Sequence, residues 1–239
     1  MTDIRDIIKA GCSELDIEID NIHVEKLVKY KDLLIEWNKK MNLTAIKDDE
    51  EIAIKHFLDS LACLKVKGLV EGKLIDIGTG AGFPGIPIKI LKDDIKTTLL
   101  DALNKRLEFL KEVCRHLDLT DVEYLHGRAE DYGRDEAFRE NFDFAVARAV
   151  APLNVLVEYC LPFVRVGGLF ICQKGPNLNE ELKEAEAAIN ILGGRLVEDL
   201  IIKLPFMDIK HRIIVIEKNK QTPTKYPRRA GKPSKNPIK

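Results

Sequence analysis

The sequence predicts an α/β fold: a doubly wound, seven-stranded sheet with a terminal antiparallel hairpin, preceded by a small N-terminal helical cap. Three observations carry that expectation. Strand-like and helix-like segments alternate strictly from about residue 70 to 217, which implies a parallel sheet covered on both faces. The first strand runs into a glycine-rich turn that opens a helix, Asp76-Ile77-Gly78-Thr79-Gly80-Ala81-Gly82. The last two strands have no helix between them and are joined by a short turn near Pro205 to Lys210, so they pair as a hairpin.

Residues 1–65 read as helices only. Val24, Leu27, Val28, Leu34, Ile35 and Trp37 recur at helical spacing, and Trp37 reads as a core anchor. A second short helix carries Ile52, Ile54, Phe57, Leu58, Leu61 and Leu64. Residues 66–218 form the alternating body. Strands are expected near 73–77, 96–100, 121–126, 142–147, 166–173, 196–204 and 211–217, and helices over 84–92, 103–117, 153–161 and 178–192. Phe142 to Val146 and Gly168 to Cys172 are apolar without alternation, as doubly buried strands should be. Residues 219–239 form a basic, Pro-rich tail.

A chain of 239 residues with 45% apolar content can build one large domain, or one domain with an appendage. No apolar run approaches the roughly 20 residues of a membrane span. The segment MTDIRDIIKAGCSELDI has neither the basic start nor the continuous apolar stretch of a signal peptide. A cytoplasmic protein is expected. Cys12, Cys63, Cys114, Cys160 and Cys172 are spread singly, without C-x-x-C or metal-ligand spacing, so reduced thiols and no bound metal are expected. The net charge of −1 hides an asymmetry: from Lys218 onward there are eight basic residues and no acids, which leaves the rest near −9. Such a tail suits a polyanionic partner. A solvated, disordered end, with Pro223, Pro227, Pro233 and Pro237, accounts for it equally well.

The glycine-rich turn admits two ligands. Gly80, Gly82 and Gly85 satisfy the G-x-G-x-x-G pattern of dinucleotide folds, but begin two residues late and place Pro84 and Pro87 around the turn. The register Asp76, Gly78, Gly80, Gly82 resembles the first motif of S-adenosylmethionine-dependent methyltransferases with a Rossmann-like fold. In either case the N–H groups that open the helix are expected to favour an anionic group. Asp101 lies 23 residues after Gly78, at the tip of the second strand, where an acid accepts ribose hydroxyls; it is equally placed to cap the following helix. After the third strand, Ala129 is placed for contact with an adenine, and Glu130 or Asp131 to accept from its exocyclic amine. Arg148 ends a strongly apolar strand, so it should face a ligand or be paired, with Asp76 and Glu130 as the candidate partners.

Methyl transfer from a sulfonium is mainly a positioning problem. The Pro-Pro motif common to exocyclic-amine methylation is absent after the fourth strand, and no Pro-Cys suggests a nucleophilic thiol for attack at pyrimidine C5. An Arg- and Lys-rich site without an evident base suits a ring nitrogen such as guanine N7, without identifying the target.

Several segments resemble the bacterial small-subunit ribosomal RNA methyltransferase G family, also called glucose-inhibited division protein B. They are Asn42-Leu43-Thr44, His56-x-x-Asp59-Ser60-Leu61, Asp76 to Ile88, Asn104-Lys105-Arg106, Arg128-Ala129-Glu130, Ala147-Arg148-Ala149, Lys174-Gly175 and Tyr226-Pro227-Arg228-Arg229-x-Gly231-x-Pro233. The resemblance runs nearly end to end. It implies that residues 66–218 are an S-adenosylmethionine-dependent methyltransferase domain acting on N7 of a guanosine in the decoding-region loop of 16S ribosomal RNA. It implies cofactor contacts at Asp76, Gly78, Gly80, Gly82, Phe83, Asp101, Ala102, Leu103, Ala129, Glu130 and Arg148, with Arg148 and Lys174 as catalytic residues. Lys174, His211, Arg212, Arg228, Arg229 and Lys232 become RNA-binding residues. His56 and Asp59, one helical turn apart, read as pinning the cap to the body. The expected partner is 16S ribosomal RNA or the small ribosomal subunit, the cofactor is S-adenosyl-L-methionine, and the chain is expected to act as a monomer away from membranes. The competing readings are a methyltransferase with a different RNA acceptor, a non-catalytic RNA-binding protein, and a nicotinamide oxidoreductase, for which the expected Tyr-x-x-x-Lys motif is absent.

Replacing Gly80 by a bulky residue is predicted to abolish binding of S-adenosylmethionine in calorimetry. Unchanged binding would show that the turn does not hold the cofactor.

Overall fold

The computed structural model describes residues 3–148 and 150–239; Ala149, part of the Ala147-Arg148-Ala149 segment, lies outside the described residues. The cap begins with α1 (Ile4–Glu14) and α2 (Asn21–Met41). Both start on an aspartate whose side chain accepts a backbone N–H of the first turn, Asp3 from Arg5 and Asp20 from His23, which satisfies donors the helix cannot. The chain leaves α2 through Asn42 in the left-handed region, φ 49°, a conformation asparagine tolerates better than most residues. A third helical run follows in four pieces: α3 (Asp49–Ile52), a π-helical stretch (Ala53–Leu58), α4 (Asp59–Leu61) and a 3-10 turn (Ala62–Lys65).

Seven strands form one sheet: β1 (Lys73–Ile77), β2 (Lys96–Asp101), β3 (Val122–His126), β4 (Phe142–Arg148), β5 (Val164–Lys174), β6 (Gly194–Lys203) and β7 (Lys210–Lys218). Their order is β3-β2-β1-β4-β5-β7-β6. All neighbours from β3 across to β5 run parallel. Strand β7 runs antiparallel to both β5 and β6, as the missing connecting helix requires. Strand order reverses between β1 and β4, which opens the crevice where ligands of doubly wound sheets bind.

Helices cover both faces. On one, α5 (Gly85–Leu91) and α6 (Asn104–His116) pack beside the cap. Ile8, Leu27, Leu34 and Phe57 of the cap share one buried cluster with Leu74, Leu99, Leu110 and Val146 of the body. The cap therefore has no core of its own. Trp37 packs into this cluster with its ring 5.6 Å from that of Phe109. On the other face, α7 (Ala129–Tyr132), α8 (Leu153–Cys160) and α9 (Asn179–Ile191) cover Ile75, Ala145, Phe170 and Ile214.

The tail departs from a free solvated end. Arg139 donates to the carbonyls of Thr222 (2.6 Å) and Tyr226 (2.8 Å), and Arg134 to that of Pro227 (2.6 Å). Lys218, fully buried, donates to the carbonyls of Leu161 and Val164 and to Thr222 Oγ1, and burial pushes its ammonium down to about 8. Arg228 forks onto Glu158 through Nε (2.9 Å) and Nη2 (2.6 Å), and Glu158 is wholly buried. The tail then forms a last turn, α10 (Lys232–Lys235), and buries Ile238.

Arg228→Ala would leave the Glu158 carboxylate buried and uncompensated. The expected cost is about 3 kcal/mol, read by chemical denaturation. A loss below about 1 kcal/mol, the range of an exposed ion pair, would mean that the tail is not anchored there.

Candidate active site

The site is built at the carboxyl ends of β1, β2 and β4. Asp76 lies near the end of β1, wholly buried. Its Oδ2 accepts from Thr79 Oγ1 (2.8 Å) and from the Gly85 N–H (2.9 Å), while Oδ1 has no partner among the described residues. Burial dominates and raises its carboxyl to about 6. The bond from Gly85 commits the N–H that opens α5 to an internal acid. It also separates the two glycine registers, because a Cβ on Gly85 would lie 2.7 Å from Asp76 Oδ2. Gly85 thus serves packing against Asp76 rather than approach to a pyrophosphate. Gly80 differs. Its φ of +60° calls for glycine, yet the nearest atom to an added Cβ is 3.9 Å away. Its outer face is open.

Asp101 ties the start of α6 to the glycine-rich turn. Its Oδ1 accepts from the Leu103 N–H (2.8 Å) at the start of α6, and its Oδ2 accepts from Gly80 N–H (2.9 Å) and Arg106 (3.2 Å). A carboxylate offers about four acceptor positions, so capacity for one more donor remains. Beside it Ala102 and Leu103 form an exposed apolar ledge, Leu103 being 45% exposed. Ala129 and Glu130, after β3, are both buried, and Glu130 Oε1 accepts from the Gly231 N–H of the tail (2.8 Å).

The wall facing β1 is supplied by the cap. Phe83 stacks between Tyr30 (5.4 Å) and His56 (4.5 Å), and the Arg148 guanidinium lies 4.9 Å from its ring centre. Tyr30, fully buried, donates to the Ala81 carbonyl of the glycine-rich turn. Arg148 is paired neither with Asp76 nor with Glu130. Its Nη1 donates to Asp59 Oδ2 (3.0 Å) and to the Lys55 carbonyl (3.1 Å), and its Nη2 lies 3.3 Å from His56 Nδ1. Asp59 is almost wholly buried, and its Oδ1 accepts from His211 Nδ1 at 2.7 Å. The hydrogen bond to Asp59 raises the His211 pKa. Burial, and then the charge of Arg148, push His56 down to about 4. The neutral His56 ring therefore accepts from Arg148 at Nδ1 and donates from Nε2 to Thr44 Oγ1 (2.9 Å).

The predicted site residues thus separate into groups. Asp76, Gly78, Gly80, Gly82, Phe83, Asp101 and Arg148 lie on or against the glycine-rich turn, and His211 joins them through Asp59. Lys174 does not. Successive residues of a strand point to opposite faces, so Gln173 meets the cap while Lys174 turns to α9. There it donates to Glu181 and to the Ala151 carbonyl (2.6 Å). Arg212 likewise bonds to Asp199 and Asn179. Arg228 is held by Glu158, whereas Arg229 and Lys232 are exposed beside Gly231. Sequence reasoning missed Tyr30, whose helical spacing reads as core, and Gln173, which carries no motif. Asp59, read as pinning the cap to the body, does so through Arg148, Gln173 and His211.

All five cysteines are free and buried. Burial raises Cys12 and Cys172 to about 12 and Cys114 to about 11, so they remain neutral thiols. Among the described residues no group of three or more His, Cys, Asp or Glu is placed to hold a metal. No helix there is long and apolar enough to cross a membrane. A surface hollow lined by Lys73, Lys96, Asp121 and Phe138 lies at the amino ends of the strands, away from these groups.

Comparison with known proteins places this crevice in context. A family model described as rRNA small subunit methyltransferase G matches residues 23–203. The chain is 60% identical over 238 residues to the ribosomal RNA small subunit methyltransferase G of Alkaliphilus oremlandii, covering 99% of this chain and 100% of that one. It is 62% identical over 234 residues to the protein of that name from Alkaliphilus metalliredigens, covering 98% of each. Among solved structures, TrmN from Thermus thermophilus superposes with a TM-score of 0.53 at 19% identity, covering 67% of this chain and 48% of that one. The Methanococcus jannaschii fibrillarin pre-rRNA processing protein gives 0.50 at 18% identity, covering 67% and 75%. These two likenesses show the fold. The chain belongs to the ribosomal RNA small subunit methyltransferase G family.

Proposed function

We propose, from that membership, that the chain transfers a methyl group from S-adenosylmethionine to N7 of a guanosine in the decoding-region loop of 16S ribosomal RNA. The observation that carries the reading is the identity of about 60% along the whole chain to relatives named for ribosomal RNA small subunit methylation. The crevice fits the cofactor. Asp76 Oδ1 is an unpartnered buried acceptor, Gly80 presents an open face, and Arg148 has two of its five donors without a protein partner among the described residues.

When bound, S-adenosylmethionine supplies a methyl group already activated on a sulfonium, with a neutral thioether as leaving group. The chain's residues position it. The spare capacity of Asp101 accepts a ribose hydroxyl, and the Ala102–Leu103 ledge and Ala129 pack against adenine. Glu130 Oε2 accepts from the exocyclic amine, its Oε1 being committed to Gly231. The two remaining donors of Arg148 hold the carboxylate, with the guanidinium plane kept in place on Phe83. Gly78 and Gly82, at φ +69° and +98°, shape the turn around the ligand.

Guanine N7 carries a free lone pair and no proton, so the acceptor needs no general base. The residues agree: His56 is bonded through both ring nitrogens, and the thiols are neutral and buried. Lys174, tied to Glu181, and Arg212, tied to Asn179, hold the start of α9 against the sheet beside the site. The phosphate contacts fall to the exposed Arg229 and Lys232 and to the open edge of His211. In this reading the chain works as a monomer on ribosomal RNA in the cytoplasm.

Labelled S-adenosylmethionine, incubated with unmethylated small subunits and with their naked RNA, tests this by nucleoside analysis. Label is expected in 7-methylguanosine. Label in another nucleoside, or none while the cofactor still binds, would overturn the assigned acceptor.

A further inference from the structure

We infer that Asp59, a residue of the cap, is a positioning residue of the active site, acting through Arg148. The inference rests on the proposed role of Arg148 toward the cofactor. Three adjacent strands converge on this one residue. Arg148 ends β4, Gln173 lies opposite it on β5, and Ile213 of β7 lies opposite Gln173, two residues after His211. Their cap-side groups all end on Asp59: Arg148 Nη1 on Oδ2 (3.0 Å), His211 Nδ1 on Oδ1 (2.7 Å) and Gln173 Nε2 on the main-chain carbonyl (2.6 Å). The carboxylate side chain is only 3% exposed.

Packing alone does not require this arrangement. The neighbours Phe57, Leu58, Leu61 and Ala62 are wholly buried and apolar, and apolar residues in place of the whole Asp59, Arg148 and His211 set would serve the core as well. A buried carboxylate instead binds its cationic partners at fixed angles. Arg148 has three of its donors taken by Asp59, the Lys55 carbonyl and His56, all within one stretch of the cap. The π-helical stretch Ala53–Leu58 makes this possible, because its wider turn presents the Lys55 carbonyl, His56 and Asp59 to the same guanidinium. The plane of Arg148 is thereby set by the cap, with the guanidinium carbon 4.9 Å from the Phe83 ring centre. The cap is thus part of the catalytic apparatus.

The test is a double-mutant cycle on the full chain, read by the calorimetric affinity for S-adenosylhomocysteine and by methyl transfer. Asp59→Asn keeps shape and an acceptor oxygen while removing the charge. We expect affinity to fall at least tenfold at a temperature where circular dichroism shows the variant folded. In an Arg148→Lys background the same change should cost less than twofold, since the plane it fixes is gone. Asp49→Asn, which breaks the half-exposed pair with Lys31 elsewhere on the cap, should leave affinity unchanged. Wild-type affinity in Asp59→Asn with a lowered melting temperature would reduce Asp59 to a cap anchor and overturn the inference. Equal losses in both backgrounds would also overturn it. Because affinity is read without RNA, an error in the assigned acceptor leaves this test intact and shows only in the methyl-transfer arm.

Discussion

A carboxylate buried at position 59 dictates much of how this molecule is assembled. An unpaired charge in a protein interior costs several kcal/mol, so the helical run that carries Asp59 can bury it only where cations wait. Arg148, and the His211 ring whose pKa the bond to Asp59 raises, stand at the carboxyl edge of the sheet. The requirement places the cap over the crevice that the reversal in strand order opens. It stacks His56 on Phe83 and brings Tyr30 onto the Ala81 carbonyl. The glycine-rich turn is thus gripped from two sides, by Asp76 and Asp101 from the body and by Tyr30 and His56 from the cap. The turn is ordered before any ligand arrives, which is the preorganisation that lowers the cost of binding.

Electrostatics at the site follow the same logic. The proposed reaction would move a positive charge from sulfur to the guanine ring. Arg148 would oppose that transfer if its charge were uncompensated. Asp59 lies against it and neutralises much of that field, while keeping the guanidinium edge available for an anionic group. His56 stays neutral chiefly because it is buried, and the charge of Arg148 acts in the same direction.

Much of this was legible in the chain. Alternating segments and the lone hairpin disclosed the sheet and its order class, because periodicity is a local property. Asp76 and the glycines disclosed the turn, because backbone at positive φ constrains residue type. What stayed hidden was long-range pairing. Arg228 and Glu158 are 70 residues apart, and nothing local distinguishes a cation held by a buried acid from one aimed at RNA. The tail therefore reads as loose in sequence, yet is strapped down in the fold. Lys174 shows a second limit. Strand parity, fixed only by register, gives Gln173 the cap side and sends Lys174 away from it. The spacing of His56 and Asp59 was visible, but the π-helical turn that aims both at Arg148 was not.

In the proposed function, cap and sheet together enclose the cofactor. Ring resonances of the chain's five histidines, followed by NMR as S-adenosylhomocysteine is added to saturation, test it directly. His56 and His211 are predicted to shift. His23 on α2 and His116 at the end of α6 lie away from the crevice and should stay in place. Shifts confined to His23 and His116, or no shift in any histidine at saturation, would contradict it.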